Sequence, residues 1–91
     1  MTVEAALQVE FGKNSYKLMV KMIRIAPSSY FFIRDMGNEK PLLSGKTLEL
    51  TYTDSFSLTE FGGLIKSPGI PKRVVTAVEK AIMKNKQTWL Q

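Results

Sequence analysis

The chain has 91 residues, 13 Lys plus Arg against 8 Asp plus Glu, no His and no Cys, for a formal charge of +5. That length fits one domain spanning residues 1–91, and a hydrophobic content of 44% sets it apart from charge-dominated disordered sequences. No stretch reaches the ~18 apolar residues of a membrane helix, and Met1-Thr2-Val3-Glu4 has neither the basic nor the apolar part of a signal peptide, so the expectation is an intracellular protein (cytoplasm or nucleus, or host cytoplasm if viral) with no membrane partner.

In chain order, three turn clusters separate strand-like runs. They are Gly12-Lys13-Asn14-Ser15, Ala26-Pro27-Ser28-Ser29 and Gly37-Asn38-Glu39-Lys40-Pro41, where Gly permits positive φ, Pro presets a turn, and Asn or Ser competes for backbone bonds. The first run ends in Leu7-Gln8-Val9-Glu10-Phe11, with a helix beginning at Glu4-Ala5-Ala6-Leu7 as its rival. The second is Tyr16 to Ile25, the third Tyr30 to Asp35, and the fourth Lys46 to Tyr52. Short connections between them predict an antiparallel meander.

Ser57-Leu58-Thr59-Glu60 then has the form of a capping box, flanked by Phe56 and Phe61 as a hydrophobic staple. Gly62-Gly63 follows at once, so this helix should be short. Ser67-Pro68-Gly69-Ile70-Pro71 breaks the chain, and Pro71 suits the first turn of a new helix. Beyond it Val74, Val78, Ala81, Ile82 and Trp89 share one helical face, with Val75 at its edge and Asn85 interrupting the stripe. Lys84 and Lys86 sit toward the C-terminal end, where cations complement the helix dipole. The expected fold is α+β: a four-stranded antiparallel meander, a short helix, and a basic amphipathic C-terminal helix.

Charge is segregated along the chain. Residues 1–12 carry −2, residues 13–46 carry +5, residues 47–65 carry −3 and residues 66–91 carry +5. Segregation of this kind creates local fields that an even scatter would not. The last basic zone is equally explained as the solvated face of the terminal helix.

Catalysis is disfavoured. Acid–base work near neutral pH usually recruits His, a Ser–His or Cys–His nucleophile is excluded, and the scattered carboxylates offer no metal cluster, so neither cofactor nor metal is expected. Ser44-Gly45-Lys46-Thr47 ends like a phosphate-binding loop, but Lys40 stands where that loop needs its first Gly, and Thr47 opens a strand-like run rather than a helix.

Binding chemistry is better represented. Alternate strand residues face opposite sides, so Tyr30, Phe32 and Arg34 share one face of the third run while Phe31 and Ile33 share the other. Lys17, Met19 and Lys21 likewise oppose Leu18, Val20 and Met22. If Phe31 and Ile33 face the helix, the others form an exposed stripe of rings among cations, suited to single-stranded nucleic acid, whose bases stack while phosphates pair with Lys and Arg. The alternative is a packed stripe, covered by a second layer or a dimer partner, and Glu10 and Glu49 on the same face would oppose phosphate. Tyr16, Tyr52 and Phe61 are assigned to the core.

Gly45-Lys46-Thr47-Leu48-Glu49-Leu50-Thr51 through Phe56-Ser57-Leu58, with Phe11-Gly12-Lys13 as a weaker match, resembles the eukaryotic transcriptional coactivator family called positive cofactor four, structural relatives of the Whirly proteins with bacteriophage versions. The likeness covers residues 10–65 in layout. Leu50 and Leu58 keep the family's spacing, Phe56 falls one residue late, and the break at residues 67–71 interrupts what would be the family's helix. The resemblance implies a homodimer whose sheets form a saddle for single-stranded DNA and whose helices pair, here through Val74, Val78, Ile82 and Trp89, although packing on the chain's own sheet explains the same stripe.

The leading expectation is therefore a non-enzymatic, weakly sequence-selective single-stranded-DNA-binding protein, with RNA an open alternative. It would serve transcription as a coactivator, or replication or recombination as an accessory alongside the proteins of those processes. Lys13, Lys17, Lys21, Arg34 and Lys46 would contact phosphates, and Tyr30 and Phe32 would stack on bases. The competing expectation is a small protein-binding regulator that engages an acidic partner through the basic helix or a sheet edge.

Overall fold

Alternation in the first run extends back to the start of the chain: Val3, Ala5, Leu7, Val9 and Phe11 interleave with Thr2, Glu4, Ala6, Gln8 and Glu10, and the whole run forms strand β1 (Thr2–Phe11). A computed structural model describes residues 2–25, 28–37, 39–53, 64–65 and 69–89. The rival helix at Glu4 does not form, because an extended chain places all five odd-numbered side chains on one side, whereas a helix would scatter them.

A two-residue turn at Gly12-Lys13, with Gly12 at φ 65°, leads into β2 (Asn14–Ile25). β3 (Ser28–Asp35), β4 (Leu48–Thr53) and a two-residue β5 (Leu64–Ile65) follow, in an antiparallel sheet of order β1-β2-β3-β4-β5. The chain is thus α+β with an antiparallel meander, and β5 adds a strand that the sequence pattern did not predict. The capping box, Phe56 and Phe61 lie outside the described residues.

One sheet face carries the core. Leu7, Val9, Leu18, Val20, Met22, Phe31, Ile33, Leu48 and Leu50 point into it and are buried. The covering element is α1 (Lys72–Lys84), which begins after Pro71 and contributes Val74, Val75, Val78, Ala81 and Ile82. Phe31 is the centre of an aromatic group, meeting the rings of Tyr52 and Trp89 edge-on at 5.7 Å each. Trp89 arrives on a separate turn, α2 (Lys86–Trp89). Asn85 ends α1, its Nδ2 donating to the Ala81 carbonyl at 2.8 Å. Of the other rings assigned to the core, Tyr52 is buried and Tyr16 is half-buried on the core side.

Two polar features tie this layer together. The Tyr52 hydroxyl donates to Glu79 Oε2 at 2.8 Å, joining β4 to α1 in the buried layer. Burial raises the affinity of both groups for their protons; in Glu79 the hydrogen bond from Tyr52 partly offsets that effect. The β3–β4 connection is organised by Asp35, whose carboxylate accepts from the amides of Leu42, Leu43 and Gly45 at 2.8–3.2 Å. This arrangement buries Leu43 and holds Ser44 and Gly45 at positive φ.

Candidate nucleic-acid interface

The open face of the sheet is assembled by register. Lys21 stands opposite Glu4 on β1 and Phe32 on β3, and Phe32 stands opposite Glu49 on β4. In the next row Met19 lies between Ala6 and Arg34, and on the other side Ile23 lies between Thr2 and Tyr30. Phe31 and Ile33 take the helix side, with no exposed surface. Tyr30 and Phe32 are consequently on the face away from α1, half-buried by their neighbours, while Lys17, Lys21 and Arg34 are exposed. Adjacent same-face positions on one strand are roughly 7 Å apart, so Tyr30 and Phe32 stand side by side with a cation directly across from Phe32.

Glu4, Met19, Lys21, Phe32, Arg34 and Thr47 line a depression of about 260 Å³ on this face. It presents one aromatic ring, two cations, one thioether and one carboxylate, which suits a flat ring carrying an anionic group. Sequence reasoning overlooked Glu4. The signal was available in the alternation of Val3 and Ala5, which assigns Glu4 to the outward side once the strand is followed back beyond Leu7. Glu49 stands opposite Phe32 on this face, as the alternation of its run expects. Glu10 lies several rows away, its Oε1 held by the Ser15 hydroxyl at 2.6 Å and by Gln8 Nε2 at 3.2 Å.

Two proposed phosphate contacts do not join this cluster. Lys13 occupies the β1–β2 turn beside Asn14, whereas Tyr30 pairs with Ile23; nine strand residues at ~3.3 Å each separate their rows by about 30 Å. Lys46 lies beside the approach to α1, where a Cβ built on Gly69 would fall 2.5 Å from Lys46 Nζ. The amides around Gly45 are occupied by the Asp35 carboxylate rather than open to a phosphate, and Thr47 leads into β4.

The helix residues expected at a dimer interface lie in the core of the single chain. Val74, Val78, Ile82 and Trp89 are 0–5% exposed within the single chain, because they pack with the apolar side of its own sheet in one core. Among the described residues, this stripe therefore packs inside the chain's own core.

Comparison with protein-family models, with curated proteins and with solved structures finds no match to the chain. Among the described residues no helix is long and apolar enough to cross a membrane, and no three acidic residues gather as a metal site.

Proposed function

We propose that the open sheet face binds single-stranded nucleic acid with little sequence selectivity. The observation that carries this is the side-by-side placement of the half-buried Tyr30 and Phe32 on the face opposite α1, with Lys21 across from Phe32 and Arg34 across from Met19. Bases stack on Tyr30 and Phe32, at a strength of roughly 1–3 kcal/mol per ring, while Lys17, Lys21 and Arg34 follow the phosphates. Glu4 and Glu49 weaken the field there, so affinity depends on stacking as well as on charge. No second protomer is required, and the role is that of an accessory to transcription, replication or recombination rather than of an enzyme.

Titration of a fluorescent oligothymidylate at low and moderate salt tests the proposal. Binding should weaken with salt as condensed counterions are released, and Tyr30→Ala/Phe32→Ala should weaken it at least about tenfold. Absence of binding at low salt would reject nucleic-acid recognition. Unchanged binding by the double variant would reject this face, and sedimentation showing a dimer that the double variant dissociates would mean the rings pack against a second copy.

A further inference from the structure

The second charged surface lies at the opposite side of β1. Among the described residues no strand pairs with the outer edge of this ten-residue strand. Beside that edge, Gln8 and Glu10 of β1 and Arg73, Thr76, Ala77, Lys80, Ala81 and Lys84 of α1 line a groove of about 420 Å³. The helix is oriented by its contacts on both flanks. Glu79 bonds Tyr52 on β4, and Arg73, on the other flank, stacks its guanidinium over Phe11 of β1 at 6.0 Å. Residues 73, 77, 80 and 84 follow helical i, i+4, i+7, i+11 spacing and therefore form one stripe along the groove. Three cations thus line the groove, while the Glu10 carboxylate at its rim turns to the open face, where Ser15 and Gln8 engage it.

We propose that this groove docks an acidic, extended peptide segment of another protein, which adds to the sheet as a further strand beside β1. An edge strand presents both amide donors and carbonyl acceptors, and an incoming strand satisfies both. A phosphodiester chain supplies only acceptors at its phosphates and leaves the edge carbonyls unmet, so the backbone chemistry favours peptide over nucleic acid here. Acidic side chains on the incoming strand meet Arg73, Lys80 and Lys84. A second copy of the chain fits poorly: antiparallel pairing of two β1 strands about Leu7 sets Glu4 opposite Glu10 and brings the two basic helix stripes toward each other. The groove is separate from the ring-bearing face, and its occupancy does not depend on nucleic-acid binding.

The test is a fluorescence titration with a short labelled peptide of alternating Glu and Val, against the same peptide N-methylated at every amide. The unmodified peptide should bind at low salt, the methylated one at least about tenfold more weakly because it cannot donate to the edge. Lys80→Glu/Lys84→Glu, two exposed positions, should lower affinity at least about tenfold with unchanged circular dichroism, and Tyr30→Ala/Phe32→Ala should leave it unchanged. No binding at low salt, or equal binding of the methylated peptide, would overturn the proposal. So would displacement of the peptide by oligothymidylate from the Tyr30→Ala/Phe32→Ala variant, which would make the groove a phosphate site. A peptide-free dimer strengthened by Lys80→Glu/Lys84→Glu would assign the groove to a second copy.

Discussion

Phe31 and Phe32 are neighbours in β3, and the pleat sends them to opposite faces with opposite fates. Phe31 has no exposed surface and is wedged between Tyr52 and Trp89. Phe32 remains partly exposed beside Lys21 and the depression shared with Arg34. The same side chain therefore serves packing on one face and stays available to a ligand on the other. Among the described residues, what separates the two is α1, which covers the Phe31 side.

Substitution of the two rings should separate the faces most sharply. Phe31→Ala removes a large buried ring and should cost about 3–5 kcal/mol, measured by urea denaturation, whereas Phe32→Ala should cost under about 1 kcal/mol. Comparable losses would mean that the open face is itself packed. A smaller effect belongs to the polar tie of the covered face. Tyr52→Phe leaves the Glu79 carboxylate without its donor and should cost about 1–3 kcal/mol, read in the same way.

The smallest effect is a pH dependence. Burial raises the Glu79 carboxyl above its ordinary value, more than the Tyr52 hydrogen bond lowers it. The folded chain then holds that proton more tightly than the unfolded chain does. Its stabilising contribution is fully present below the unfolded carboxylate value and is lost as pH rises through the folded one. The urea midpoint of the wild type should therefore gain, relative to Glu79→Gln, as pH falls from neutral to mildly acid. A difference that stays constant over that range would show that Glu79 does not titrate in the folded state.

The meander and the terminal helix were legible because period-two and period-3.6 patterns are local. The stripe of Tyr30, Phe32 and Arg34 could be assigned to one face, but which face the helix covers depends on contacts that no local pattern records. Glu4 was lost because an Ala-rich stretch reads as readily as helix as it does as strand. Lys13 and Lys46 were grouped with the stripe on charge alone, and only the register shows Lys13 far along the sheet from the rings, and only the fold brings Lys46 beside Gly69. The apolar stripe of α1 was read correctly as a stripe, but a stripe does not say whether it meets the chain's own sheet or a partner. Here Val74, Val78 and Ile82 are buried against the chain's own sheet. Asp35 as the anchor of the β3–β4 connection had no sequence signal, since its three amide partners come from residues 42–45.

The most direct test of the open face as a nucleic-acid platform is a two-dimensional amide NMR titration with oligothymidylate. Nucleic-acid binding there predicts shifts concentrated at Met19, Lys21, Tyr30, Phe32 and Arg34, with α1 residues 73–84 unmoved. Shifts confined to α1 and the β1 edge, with those five amides unmoved, would contradict it.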